Sequence, residues 1–158
     1  MKILIRIAII VTIFLAISVV IPIEFDNFFI NTIFTVAGIM FSVGLGLIVT
    51  FNVGDIKNKS YIIKIRGSIN NVRNSFLKYF TLVTICYVLD YYLRQSESNI
   101  TTLHVLEQDI SLNWSILFCL LMIYSIVYFI INFIEIQKLN NDIVDKLIKE
   151  NNSNKLSK

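Results

Sequence analysis

The chain has 158 residues, is 56% hydrophobic, has a mean hydropathy of +0.72, and only 16% of its residues are charged. A soluble domain usually carries about 25% charged residues, so the composition excludes an ordinary soluble domain and predicts a polytopic membrane protein. The net charge of +3 is small, and nothing outside the apolar runs is long enough to fold alone. We expect an all-α fold: one four-helix transmembrane domain over residues 1–150, followed by a disordered tail over 151–158.

The first apolar run extends over residues 3–23 and is interrupted only by Arg6. Basic residues followed by an apolar stretch are typical of a secretory signal, but no small-x-small cleavage site follows this run. Pro22 ends the run, and only a few residues connect it to the next one. The first run is therefore predicted to be a membrane helix that lies antiparallel to the second.

The second run, residues 28–51, carries no charge and is long enough to cross a bilayer. Small residues recur in it at every fourth position: Gly38, Ser42, Gly46 and Thr50. Residues at this spacing share one face of a helix, and small residues let helix backbones approach closely in lipid. The row predicts a packing face for other spans of the chain or for a second copy. The alternative is that glycine is simply common in membrane helices.

Beyond the second run the chain becomes basic and amphipathic. Apolar residues spaced three and four apart form one helical stripe there: Ile62, Ile65, Ile69, Val72 and Phe76. The stripe continues without a break into the third apolar run, residues 76–93, so one long helix is expected. The basic residues beside it are predicted to bind lipid headgroups or a cytoplasmic partner: Lys57, Lys59, Lys64, Arg66 and Arg73. Direct nucleic-acid binding is disfavoured because interleaved aromatic residues are lacking.

Asp90 is the ionisable residue of the third run that needs an explanation. A carboxylate within a membrane span points to a proton or ion site. Arg94 follows four residues later on the same helix face and offers an interfacial ion pair instead. No span carries the series of carboxylates or histidines that a proton relay would require. We therefore favour a structural ion pair between Asp90 and Arg94 over a proton or ion site.

Residues 95–111 are expected to form a polar loop with, at most, a short interfacial turn near residues 103–106. The fourth run, residues 114–134, begins at Trp114, a residue type enriched at membrane interfaces. The helical pattern continues into the tail through Ile136, Leu139, Ile143 and Leu147. We expect the two amphipathic helices to pack into a short cytoplasmic stalk, within one chain or between copies.

The basic residues are distributed asymmetrically. Of the 14 Lys and Arg residues, only Arg94 falls on the side opposite the termini and the central loop. The positive-inside rule then places both termini and the central loop in the cytoplasm. We therefore expect a multi-pass protein that lies in the bacterial inner membrane.

The sequence carries no constellation that supports catalysis. Its one histidine, His104, falls in the outer loop, and its two cysteines, Cys86 and Cys119, fall in apolar runs. The cysteines are interpreted as small buried apolar residues rather than a disulfide. P-loop, nucleotide-fingerprint, His-Glu-x-x-His and Cys-x-x-Cys patterns are missing from the sequence. We expect a non-enzyme without a cofactor or metal.

The most distinctive stretch, residues 44–54 leading into residues 57–60, carries no catalytic or nucleotide-binding pattern. As architecture, the whole chain resembles the tetraspan membrane subunits of bacterial anti-phage defence systems, of which the Kiwa type is one, and prophage-encoded exclusion proteins. The resemblance implies a membrane sensor or effector in anti-phage defence, and we expect it to be homo-oligomeric and to work with a cytoplasmic partner. The alternatives are a small channel or transporter subunit acting alone and a holin-like lysis protein. A defence-type cytoplasmic protein encoded next to this gene would favour the role in anti-phage defence over a channel or transporter subunit.

Overall fold

The computed structural model describes residues 2–20, 25–50, 59–105 and 108–156. Four helices and one hairpin follow each other along the chain: α1 Lys2–Val20, α2 Asn27–Val49, α3 Lys59–Gln95, β1 Ile100–Val105, β2 Gln108–Asn113 and α4 Trp114–Leu156. The prediction of a predominantly helical protein is confirmed.

Three of these helices are long and apolar enough to cross a membrane: Asn27–Val49, Ser60–Gln95 and Trp114–Asp145. Only 22–28% of the residues in their apolar windows are buried, and Ile39 and Ile85 are more than half exposed. Helices that present apolar side chains on their outer surface are stable in hydrocarbon rather than in water. The chain is a membrane protein with transmembrane helices.

α1 follows the first predicted span as far as Val20, and its apolar part is the shorter stretch Ala8–Ser18. The end of that predicted span, residues 21–23, lies outside the described residues, and so does Phe51 at the end of the second. A fourth membrane crossing and the orientation of the termini remain predictions.

α3 and α4 each extend well beyond an apolar window. α3 joins the basic amphipathic stretch to the third apolar run in one helix, which confirms the prediction of a continuous helix there. α4 continues to Leu156, so its last turns run into the stretch that was expected to be disordered from residue 151. The sequence of α4 contains neither glycine nor proline to end the helix earlier.

The connection between α3 and α4 is a β-hairpin rather than the expected polar loop. β1 and β2 are antiparallel, and their register pairs Ile100 with Asn113 and His104 with Asp109. Threonine, isoleucine and valine, which favour extended backbone, make up four of the six residues of β1. The expectation of a polar loop with a short interfacial turn near residues 103–106 is corrected for this segment.

The hairpin is hydrogen-bonded to the N-terminal residue of α4. Trp114 donates two hydrogen bonds, from its backbone N–H to the Asn99 carbonyl and from its indole Nε1–H to Thr101 Oγ1, each 2.9 Å long. α1 also contacts β2. An isolated two-stranded sheet is marginally stable in water, so these contacts explain why the hairpin forms.

The C-terminus of α3 is closed by a Schellman motif. The N–H of Ser98 donates to the Leu93 carbonyl at 2.9 Å, and the N–H of Glu97 donates to the Arg94 carbonyl at 3.2 Å. This arrangement requires a left-handed residue after the helix, a position that glycine usually occupies. Here Glu97 adopts it, with φ of 54°.

Replacing Glu97 by glycine is expected to stabilise the protein by about 1 kcal/mol or less, because glycine adopts the left-handed conformation without steric cost. The measurement is the thermal unfolding midpoint of the detergent-solubilised protein. Ser98→Gly is the matched control, because Glu97 is the one non-glycine residue of the described chain with a positive φ. A midpoint that rises equally in both variants, or falls in Glu97→Gly, would contradict the prediction.

The chain divides into two compact units. The first comprises Met1–Gly38 and Tyr79–Ile126. In it, the Phe14 and Trp114 rings stack with centroids 6.2 Å apart, which brings α1 against α4. Phe34 stacks on Tyr87 at 4.3 Å, and the Tyr87 hydroxyl donates to Asn31 Oδ1 at 2.8 Å, which joins α2 to α3.

The second unit comprises Ile39–Lys78 and Val127–Lys158. Its centre is a pair of fully buried aromatic rings, Phe76 of α3 and Phe129 of α4, with centroids 5.0 Å apart. Phe41 of α2 lies 6.2 Å from the Phe129 ring. This unit therefore packs α2, α3 and α4 around aromatic side chains.

Candidate functional site

The first candidate site is a stalk, which we define as residues 59–75 of α3 and 135–156 of α4. Ile65 and Ile143, each 3% exposed, form its apolar centre. The surrounding apolar side chains come from both helices: Tyr61, Ile62, Ile69 and Leu139. The predicted packing of the two amphipathic helices is confirmed, and it occurs within one chain.

The basic side chains of the stalk point away from this apolar seam. Lys64, Arg66 and Arg73 are exposed, and within the described part of the chain none of them forms an ion pair. Asp142 and Asp145 of the facing helix are also exposed and do not neutralise them. Of the other predicted basic residues, Lys57 and the side chain of Lys59 lie outside the described residues. The described basic groups are therefore available to an external anionic surface.

Two recesses lie where α2 approaches the stalk. One, of about 280 Å³, is lined largely by polar side chains: Leu47, Thr50, Ile136, Gln137, Asn140 and Asn141. The other, of about 210 Å³, is lined mainly by apolar ones: Ile48, Ser68, Ile69, Val72, Glu135, Ile136 and Leu139. The sequence analysis did not single out the amide residues of the first recess, although the Asn-Asn pair interrupting an amphipathic helix was a visible signal.

The small residues that recur at every fourth position of α2 differ in their surroundings, and Thr50 lines the first recess beside residues of α4. Ser42, Gly46 and Thr50 are exposed, and no described atom lies within 4 Å of a Cβ placed on Gly46. Gly38 differs, because a Cβ there would lie 3.9 Å from the Phe80 ring. Gly46 thus has no close neighbour among the described residues, and the packing face, for other spans of the chain or for a second copy, remains a prediction.

The glycine that makes a close contact within the chain is Gly44, which the sequence analysis did not select. A Cβ placed on Gly44 would overlap the ring of Phe76, whose side chain is fully buried. Glycine is thus required for α2 to approach α3 in the second unit. Gly44 is visible in the sequence as a further glycine of α2, but it does not belong to the row of small residues spaced four apart that directed the prediction.

The second candidate site is the ion pair in the first unit. Arg94 Nε lies 2.8 Å from Asp90 Oδ2, so the two residues form the pair that their spacing predicts. Arg94 also donates from Nη1 to the backbone carbonyl of Phe25. The Asp90 side chain is 2% exposed and that of Arg94 is 18% exposed. The pair therefore links the C-terminal end of α3 to Phe25, which lies just before α2.

The described residues contain no group of three His, Cys, Asp or Glu side chains placed to hold a metal ion. Cys86 and Cys119 are both buried free thiols, as predicted. The expectation that the protein is not an enzyme remains a prediction.

The comparisons with protein-family models, with curated proteins and with solved structures found no match for this chain.

Proposed function

We propose that the chain is a multi-pass protein of the bacterial inner membrane that acts, as a homo-oligomer, as a sensor or effector in anti-phage defence. In this proposal α1 is a fourth span, both termini are cytoplasmic, and the stalk docks a cytoplasmic partner. The distribution of basic residues supports the orientation, since only Arg94 of the 14 falls on the outer side. The architectural resemblance to tetraspan defence subunits supports the biological role.

The single observation that carries the proposal is the stalk with its unpaired basic surface. By length, α3 with 37 residues and α4 with 43 residues extend roughly 55 Å and 65 Å, against about 30 Å for a hydrocarbon core. Both helices are thus longer than a crossing requires. The excess forms a packed and positively charged surface, which suits recognition of an acidic protein partner.

The exposed face of α2 supports the homo-oligomer. Gly46 and Ser42 lie on this face beside exposed apolar side chains such as Val43. Small residues that let helix backbones approach are the usual basis of helix association in lipid. A second copy of α2 is the simplest partner for such a face.

Neutralising the basic residues at the N-terminal end of α3, together with Lys57 just before it, is expected to abolish protection against phage. In the variant Lys57→Gln, Lys59→Gln, Lys64→Gln and Arg66→Gln, loss of charge weakens electrostatic encounter with the partner. The measurement is plaque formation on cells that express the chain together with its genomic neighbours. Glutamine is chosen because glutamate could reverse the membrane topology.

The matched control changes four lysines near the C-terminus to glutamine instead, three of them on the α4 side of the stalk: Lys146, Lys149, Lys155 and Lys158. It removes the same charge without touching the basic face of α3, so protection is expected to persist. If both variants protect like the wild type, the docking proposal fails. If the purified wild type alone conducts ions in liposomes and no neighbouring gene is needed, the channel alternative replaces it.

A further inference from the structure

The smaller of the two recesses, which we call the apolar recess, lies where the uncharged stretches of α2 and α4 end. Its described lining belongs entirely to the second unit. Ile48 is in the last turn of α2, and Glu135 is the first charged residue of α4. On α3 the recess reaches Val72, one turn before the fully buried Phe76. Since uncharged helical stretches of this length lie in hydrocarbon, the apolar recess belongs at the boundary between bilayer and water.

The apolar recess combines apolar walls with two polar side chains. Its isoleucines Ile48 and Ile136 are 7% and 5% exposed, whereas the polar residues Ser68 and Glu135 are exposed. Among the described residues, neither of these two polar side chains has a hydrogen-bond or ion-pair partner. A carboxylate only accepts hydrogen bonds, and a hydroxyl also accepts them. The recess therefore suits an amphipathic molecule whose polar end carries hydrogen-bond donors and a positive charge.

We propose that the apolar recess binds phosphatidylethanolamine, a membrane phospholipid whose headgroup ends in a primary ammonium. Part of an acyl chain lies against the isoleucines, and the ammonium N–H groups donate to the Glu135 carboxylate and the Ser68 hydroxyl. The Glu135 charge attracts this ammonium and repels an anionic headgroup. Bilayer lipid is also the hydrocarbon that surrounds a membrane protein at this level.

The size of the apolar recess favours a lipid over a helix of a partner protein. Its volume of about 210 Å³ is smaller than one turn of an α-helix about 10 Å across. A chain of methylene groups is narrower and fits this space. A lipid bound there contacts α2, α3 and α4 together.

This lipid site is distinct from the basic surface that the proposed function assigns to a partner. Lys64, Arg66 and Arg73 carry positive charge and suit an anionic surface, whereas Glu135 suits a cationic group. Lipid binding needs neither a partner protein nor a role in phage defence. A failure of the defence proposal would therefore leave the lipid site intact.

The lipid preference of the full-length wild type tests the proposal. Native mass spectrometry of the protein released from detergent measures its affinity for phosphatidylethanolamine and for phosphatidylcholine with identical acyl chains. Both lipids are zwitterionic, so the basic surface affects them alike, but the quaternary ammonium of phosphatidylcholine has no N–H to donate. We expect phosphatidylethanolamine to bind roughly fivefold more tightly, as for one solvent-screened ionic contact. Equal affinity for the two lipids would overturn the proposal.

A pair of variants assigns the preference to the apolar recess. Glu135→Gln keeps the size of the side chain and removes its charge, so we expect it to bind both lipids equally. The matched control is Asp142→Asn, which removes the charge of another exposed carboxylate on α4 that does not line the recess. Both native side chains are exposed, so neither change disturbs a buried contact, and the control is expected to retain the preference. A preference that persists in Glu135→Gln, or that is lost in both variants, would show that the lipid does not bind as proposed.

Discussion

Replacing Gly44 by alanine is expected to destabilise the protein by about 1–3 kcal/mol, the usual range for overpacking a filled core. The added methyl group overlaps the Phe76 ring. That ring is fully buried and packs against Phe129 at 5.0 Å and Tyr128 at 6.4 Å, so it has no free space into which to move. The measurement is thermal unfolding in detergent, followed by intrinsic fluorescence or by exposure of buried thiols.

Gly46→Ala is the matched control on the same helix. No described atom lies within 4 Å of the added methyl group, and alanine favours a helix over glycine by about 1 kcal/mol. The two substitutions therefore change stability in opposite directions, although they lie two residues apart. Equal unfolding midpoints for the two variants would show that α2 does not approach α3 as described.

Removing one partner of the buried ion pair is expected to have the largest effect of all. Arg94→Gln leaves the Asp90 carboxylate without its counter-charge and also removes the donor to the Phe25 carbonyl. Breaking a buried pair in this way typically costs about 3–5 kcal/mol, because a charge remains buried and uncompensated. The unfolding midpoint and the fraction of protein recovered from the membrane both report the loss.

The double variant Asp90→Asn with Arg94→Gln separates the charge effect from the loss of shape. It removes both charges at once, so it is expected to be more stable than Arg94→Gln alone. The difference measures the penalty of the unpaired carboxylate. An Arg94→Gln protein as stable as the wild type would mean that the pair does not hold α3 to the α1–α2 connection.

The helices and the stalk could be predicted because their signals are local and periodic. Ile62, Ile65 and Ile69 recur at helical spacing beside basic residues, and Ile136, Leu139 and Ile143 do the same. Two such stripes, each continuous with an apolar run, leave few ways to bury their apolar faces. Their packing against each other follows from that restriction.

The hairpin could not be predicted in the same way. β1 and β2 are short, and their residues mix threonine, serine and charged groups without a clear apolar alternation. Its stability depends on Trp114, the first residue of α4, which donates hydrogen bonds to Asn99 and Thr101. Sequence propensity alone does not reveal such tertiary support.

The candidate sites show the same division between local and tertiary information. The spacing of Asp90 and Arg94 predicts their pair, but the Phe25 carbonyl that completes it comes from a distant part of the chain. The row of small residues was visible, yet the glycine in close contact is Gly44 rather than Gly46. Which side of an apolar helix contacts the other helices depends on those helices. An apolar sequence with little periodicity therefore does not show which residues lie in the contact.

In the proposed orientation α3 crosses the membrane with the stalk in the cytoplasm and the hairpin outside. This orientation is tested by cysteine labelling in intact cells, in a background that carries Cys86→Ala and Cys119→Ala. Ser98→Cys reports the end of α3 next to the hairpin, and Asp142→Cys reports the stalk, where both native side chains are exposed. We expect an impermeant thiol reagent to label Ser98→Cys in intact cells and Asp142→Cys only after permeabilisation. Labelling of both in intact cells, or of Ser98→Cys only from the inside, would contradict it.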